Sequence, residues 1–274
     1  MGLIERCKSD APLIMGIVNV TSDSFSDGGQ FLDTDRAIAH GIKLLEEGAD
    51  ILDIGGESTR PNAEPVTIDE ELERVIPVIQ GLAAHASFIS IDTRNAEVMQ
   101  AAIEAGANVI NDVSALTHDT KSAAVVSQSA LPVCLMHMKG TPQTMQDKPH
   151  YDNVVDEILS FFEQRLEFCA EQGIEMSRVI LDPGIGFGKT VDHNLSIIKN
   201  VAKFKTLGCP VLLGVSRKSF IGTLCQEDNP KNRVSGSLSA ALYALEQGIE
   251  IFRVHDVQET KQAFTIHHAI RQAS

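Results

Sequence analysis

FISIDTRNAEVMQAAIEAGANVIND, residues 88–112, holds one full repeat of the pattern that decides the fold. An apolar run rich in β-branched residues (Phe88–Ile91) is followed by an amphipathic stretch (Ala96–Ala105), a Gly106-Ala107 step and another apolar run (Val109–Ile110). Glycine at such a step can take the left-handed conformation that closes a helix, so the segment reads strand, helix, strand. The unit recurs on both sides. Apolar runs lie at Leu13–Val20, Ile51–Ile54, Val133–Met136, Val179–Leu181, Val211–Val215 and Ile251–Val254. Amphipathic stretches lie at Asp35–Glu47, Asp69–Ala84, Asn153–Gln172, His193–Lys205, Arg233–Gln247 and Gln258–Arg271, with a weaker helix near Asp119–Gln128. The closing step returns as Glu47-Gly48-Ala49, Gln172-Gly173-Ile174 and Gln247-Gly248-Ile249.

Apolar strands in strict alternation with helices predict a parallel sheet buried on both faces. Eight units favour closure into an α/β (β/α)₈ TIM barrel, and 274 residues suit one domain over 1–274. The competing open, doubly wound sheet calls for G-x-G-x-x-G in its first strand–helix turn, which is absent here.

Composition narrows the function classes. A formal net charge of −14 disfavours nucleic-acid binding, which needs a basic footprint. The five cysteines are scattered, odd in number and without C-x-x-C, as expected of reduced thiols. MGLIERCKSD carries no apolar run, and no stretch approaches the ~18 consecutive apolar residues of a membrane span. The expectation is a cytoplasmic enzyme without membrane partners.

In such a barrel the residues that follow each strand face the active-site mouth. Those positions hold Asn19, Asp53 with Glu57, Asp92, Asn111 with Asp112, His137, Asp182, Ser216–Ser219, and Arg253 with His255. Any one of them could be a helix cap. A polar set at equivalent positions in every unit points to a site. Residues 19–29 read as a lid, and Asp53–Pro61 joins a Gly pair to Thr59 and Arg60, a combination suited to an anion. The segment 182–189 resembles a nucleotide loop but fails both tests. Walker A needs Gly where Pro183 stands, and the dinucleotide fingerprint needs Gly where Lys189 stands. Acids and amides therefore follow the third, fourth and sixth strands, and cations follow the seventh and eighth, where barrels often hold phosphate.

The motifs MGIVNVTSDSFSDGG (15–29), DIGGESTRP (53–61), IDT (91–93), IND (110–112), MHMKGTPQTMQ (136–146), LDPGIGFGK (181–189), GVSRKSFIG (214–222) and RVHDV (253–257) together resemble the dihydropteroate synthase family. The resemblance runs from about Leu13 to Ile270. Two departures, Ser22 in place of a common Pro and Asn62 in place of a frequent Gly, lie in loops beside the site.

That resemblance implies condensation of 6-hydroxymethyl-7,8-dihydropterin pyrophosphate with p-aminobenzoate, a transferase step of folate synthesis and a target of sulfonamides. Asp182 could accept the paired N–H donors of the pterin edge, which suits a carboxylate. Asp92 and Asn111 would meet the other ring nitrogens, and Lys218 the carbonyl and ring. The resemblance further implies that Arg253 and His255 hold the pyrophosphate, that Asn19 contributes to a bridging Mg²⁺ and that Arg60 closes over it. Thr59, Pro61, Phe187 and Ser219 would line the p-aminobenzoate pocket, and the family is typically homodimeric. A pterin-dependent methyltransferase shares the acid and amide floor but has no use for the cationic end. The residues leave His137 open between a core histidine and a ligand contact. Asp53 is expected to order its loop, and Asp112 to pair with a Lys or Arg.

Overall fold

In the computed structural model, residues 2–9, 11–20, 30–58, 66–141, 145 and 148–273 are described. In chain order these begin with α1 (Leu3–Arg6), β1 (Leu13–Asn19), α2 (Gln30–Glu46), β2 (Ile51–Gly55), α3 (Ile68–Leu82) and β3 (Ile89–Asp92). Next come α4 (Ala96–Ala105), β4 (Val109–Asp112), α5 (Ser122–Ser129), β5 (Val133–Met136), α6 (Val154–Glu171) and β6 (Val179–Asp182). The last part holds α7 (Val191–Lys199), β7 (Leu212–Leu213), α8 (Ser219–Cys225), α9 (Val234–Glu246), β8 (Ile251–Val254) and α10 (Val257–Gln272).

The eight strands are parallel, in the order β6-β5-β4-β3-β2-β1-β8-β7. A parallel bridge between Leu181 and Val211 joins the ends of that order and closes the barrel. No helix among the described residues is long and apolar enough to cross a membrane.

Strand side chains alternate between two faces, and here each face has its own core. Outward positions such as Ile14, Leu52, Ile54, Ile91, Ile110, Leu135, Leu181 and Phe252 meet the helices. Inward positions Leu13, Met15, Ile51, Val109, Cys134, Ile180, Leu212 and Ile251 fill the lower barrel. Leu3 and Cys7 pack into that inner cluster from below, so the N-terminal segment plugs the floor. Arg6 anchors it on Asp50 at 2.6 Å, and Asp50 also accepts the Ile14 N–H at 2.9 Å.

Helix boundaries follow local chemistry. Thr67 and Glu70 form a reciprocal capping box at the start of α3, and the Asn153 side chain caps α6. Gly106, at φ 120°, closes α4 as its sequence position predicts. The expected helix His193–Lys205 divides into α7 and a 3₁₀ segment, Val201–Leu207, in which Phe204 is fully buried. The seventh strand contracts from 211–215 to Leu212–Leu213. Helices α1 and α8 were not foreseen from the sequence. At four and seven residues they are too short to show a 3.6-residue period.

Phe162 and Phe204, both fully buried, meet edge to face with centroids 6.0 Å apart. Phe204→Ala is expected to lower stability by about 3–5 kcal/mol, read as a fall in the urea midpoint, since truncation of a buried ring leaves a cavity.

Candidate active site

Two steps up from the inner apolar layer, the inward positions turn polar. Asp53 follows Ile51, Asn111 follows Val109, Asp182 follows Ile180 and Arg253 follows Ile251, each by two residues. Strand register carries the same face from Asn19 through Gly55, Asp92 and Asn111 to Cys134. The mouth is therefore built by strand periodicity, and its loops decorate it.

At its centre the Arg253 guanidinium reaches across the barrel. Its Nε donates to Asp53 Oδ2 at 2.6 Å and its Nη2 to Asp92 Oδ2 at 2.7 Å. Asn111 Nδ2 lies 3.3 Å from both Asp53 oxygens, and Asp53 is wholly shielded from solvent. Burial works against the charge on Arg253, but Asp53 and Asp92 outweigh it and hold the guanidinium above its ordinary value. Burial raises the Asp92 carboxyl, with Arg253 pulling it back. The sequence reading assigned Asp53 to ordering its loop. The structure corrects this: Asp53 is the inner anchor of Arg253, and its distance of two residues from the inward Ile51 signals only that it faces the barrel interior.

Asp182 Oδ1 accepts the Gly184 N–H at 2.8 Å, and burial raises this carboxyl too, opposed by Gly184, Lys218 and Arg253. Lys218 is the N-cap residue of α8, and its Nζ sits 4.3 Å from the centre of the Phe187 ring. A Cβ on Gly186 would stand 3.3 Å from Lys218 Cδ, so this glycine makes room for the lysine stem. Burial lowers the Lys218 ammonium to about 8, Asp182 pulling it up and Arg253 pushing it down.

His255 is held by Ser216, whose Oγ accepts the His255 backbone N–H at 3.1 Å and lies 3.1 Å from its Nδ1. The hydroxyl has a second lone pair and a proton of its own, so it can meet Nδ1 in either tautomer of the ring. Burial, Arg253 and Arg217 hold the imidazole down at about 3, in its neutral form.

Arg217, grouped with the phosphate cations by its place in the sequence, is turned away from the mouth. At φ 58° it forms a two-point ion pair with Asp256, while its N–H donates to Ser237 Oγ at 2.8 Å. Its left-handed backbone separates Ser216 and Lys218, which serve the mouth, from its own side chain. Among the described residues Asp112 forms no ion pair with a Lys or Arg. It accepts from the Ser114 N–H and hydroxyl and from the Leu116 N–H, because its parity points it outward into a turn. Glu57 forms a two-point pair with Arg94 that ties the β2 loop to the β3 loop. His137 is a satisfied core histidine, 3.0 Å from Lys189 Nζ and edge-on to Phe161.

Phe187 is half-buried and Ser219 is exposed at the start of α8. Thr59, Arg60 and Pro61, with Ser22 and Asn62, lie outside the described residues. No cluster of three metal-ligating acids, histidines or cysteines occurs among the described residues. Asn19 stands on the inward face as a neutral oxygen donor, a set that fits Mg²⁺ held chiefly by substrate oxygens and water rather than by a carboxylate cage.

A sequence model of the family described as pterin binding enzyme matches residues 15–255. Dihydropteroate synthase of Haemophilus influenzae is 46% identical over 264 residues, covering 96% of this chain and 95% of its own. That of Escherichia coli K12 is 44% identical over 256 residues, covering 93% and 90%. The chain belongs to the dihydropteroate synthase family. Solved members share its fold. The Xanthomonas albilineans synthase with 4-aminobenzoic acid superposes with a TM-score of 0.91 at 47% identity, over 97% of this chain and 95% of that one. The same organism's synthase in complex with 7,8-dihydropteroate gives 0.88 at 44% identity, over the same shares.

Within this dihydropteroate synthase fold, Asp53→Ala leaves the Arg253 guanidinium short of its inner partner. Removing one member of a buried pair is expected to lower stability by about 3–5 kcal/mol, measured by urea unfolding.

Proposed function

We infer that the chain joins p-aminobenzoate to 6-hydroxymethyl-7,8-dihydropterin pyrophosphate, giving 7,8-dihydropteroate and pyrophosphate. The observation that carries this reading is one mouth holding two chemistries. An acid–amide floor (buried Asn111 and Asp182 with half-buried Asp92) suits the N–H-rich pterin edge, and a cationic end (Lys218, Arg253, with His255) suits a departing anion. Membership of the synthase family supports it. A buried floor of hydrogen-bonding groups rejects analogues that leave those groups unpaired.

In the mechanism proposed, Asp182 accepts the pterin's paired donors with its free lone pairs, while Lys218 reaches the ring and its carbonyl. Arg253 and the ring N–H of His255 stabilise charge on the leaving pyrophosphate. The C–O bond to the exocyclic methylene breaks first, and the resulting cation is delocalised over the electron-rich pterin. The aniline nitrogen of p-aminobenzoate then bonds to that carbon and loses a proton to water. No side chain has to act as a nucleophile, so catalysis is positioning plus electrostatic stabilisation. Asn19 would contribute to holding Mg²⁺, which when bound supplies further neutralisation of the pyrophosphate. Thr59, Pro61, Phe187 and Ser219 would line the second-substrate pocket, and Arg60 would close over the pyrophosphate.

The reading also includes the cytoplasm as the site of action, which agrees with four buried free thiols, Cys7, Cys134, Cys169 and Cys209. A homodimer is supported by Leu195, Leu224 and Tyr243, large apolar side chains left exposed on α7, α8 and α9.

The direct test is pyrophosphate release from the pterin substrate with Mg²⁺, with and without p-aminobenzoate. Release coupled to dihydropteroate is expected, and slow release without the acid would accompany bond breaking ahead of attack. Pterin binding with no release in either condition would refute the synthase reading. Arg253→Ala is expected to lower kcat by about 10²–10³, in line with the loss of one donor to a developing oxyanion.

The charge on Lys218 sets a pH limit. The ammonium is present below its lowered value of about 8 and is lost above it. We expect kcat/KM for the pterin substrate to fall as pH rises through that value, and Lys218→Arg to move the falling limb to higher pH. An unshifted limb in Lys218→Arg would reject this assignment.

A further inference from the structure

The segment between β6 and α7 runs between the groups proposed for the two substrates, with Asp182 at one end and Phe187 near the other. Beneath it lies a lysine to which the proposed chemistry gives no task. Lys189 is 4% exposed. Its Nζ donates to the Phe187 carbonyl at 2.9 Å and the His137 carbonyl at 3.2 Å, and it lies 3.0 Å from His137 Nδ1. Burial lowers the Lys189 ammonium to about 7, Asp182 pulling it up and Lys218 pushing it down, and in that form its three N–H donors match these three acceptors. Burial and the neighbouring lysines keep His137 neutral, far below its ordinary value, so Nδ1 is free to accept and Nε2 carries the ring proton.

The three glycines of the segment explain why the support comes from below. Gly184 and Gly188 have φ of 69° and 65°, and a Cβ on them would fall 2.0 Å from the His137 carbonyl oxygen and 2.4 Å from that of Lys139. The segment therefore lies directly on the backbone that follows β5. Tyr151 adds one more tie, donating to the Gly188 carbonyl at 3.0 Å. Asp182 is held by its own strand and by the Gly184 N–H. Phe187 has no strand to hold it. Its carbonyl is fastened by Lys189, and its ring carries the Lys218 ammonium on its face.

We propose that Lys189 is a positioning residue for the second substrate, seating Phe187 by fastening its backbone to His137. This inference rests on the synthase reading above. Lys189 makes no hydrogen bond to the acid floor, reaching Asp182 only through space and Lys218 only by way of the Phe187 ring, whereas it fastens the Phe187 backbone directly, so p-aminobenzoate should respond more strongly than the pterin to its loss. A lysine that merely supported the fold would change the amount of active protein and its unfolding temperature, and would leave both KM values alone.

The experiment is steady-state kinetics of the full chain with Mg²⁺ and both substrates, on Lys189→Met, His137→Leu and His137→Asn. Leu removes the acceptor at Nδ1, and Asn replaces it with an amide oxygen at nearly the same place. The expected result is a p-aminobenzoate KM raised about tenfold in Lys189→Met and His137→Leu, with kcat and the pterin KM within about threefold of the parent. His137→Asn should stay close to the parent in all three. Should Lys189→Met fail to fold, the His137 pair carries the same comparison. An unchanged p-aminobenzoate KM in the Lys189 and His137→Leu variants would overturn the proposal, and so would His137→Asn behaving like His137→Leu. A parent chain that turns nothing over would instead overturn the synthase reading, and this inference with it.

Discussion

One guanidinium organises the upper barrel. Arg253 leaves β8 and ends on carboxylates of β2 and β3, so three strands meet through a single side chain. Charges in so dry a place are tolerated only when matched and hydrogen-bonded. Asp53 and Asp92 supply the match, and Asn111 supplies a further donor. Asp182 and Lys218 extend the set, so three carboxylates face two cations. Burial raises Asp92 and Asp182 and lowers Lys218, the direction in which withdrawal from water moves acids and bases alike toward their neutral forms.

This arrangement depends on the alternation of strand side chains and on little else. Below Asp53 and Arg253 the same inward positions are Ile51 and Ile251, part of a sealed apolar layer. The outward positions pack on helices. A slip of one residue in any strand would exchange the two faces and bury charge among Leu and Ile. The strand-borne members of the polar set are thus held in register by the apolar residues beneath them, whereas Lys218 depends on the loop that carries it.

Most of the fold and the strand-end residues could be read in the sequence for that reason: period two and the Gly-closed helices are local signals. Asn19, Asp92, Asn111, Asp182, Arg253 and His255 all occupy the ends of apolar runs. What escaped was long-range. Nothing near Asp53 announces an arginine on the last strand, and nothing near His137 announces Lys189, 52 residues later. Arg217 was misplaced because its left-handed φ, which turns its side chain toward Asp256, leaves no trace in composition. Helix α8 was missed because seven residues display no period, and Asp112 because a turn cap and a paired carboxylate look alike in one dimension.

The plug and the seam of the barrel bear on how the chain reaches this structure. Leu13 pairs with Ile251, and Leu3 and Cys7 enter a core completed by Leu212 and Ile251. The first strand therefore waits for the last. Contacts of such sequence separation are slow to form, since the intervening loop must be closed before they stabilise anything. A chain emerging from the ribosome keeps its leading strand edge open until nearly all of it has been made. The acidic surface, with its net charge of −14, repels sister chains during that interval.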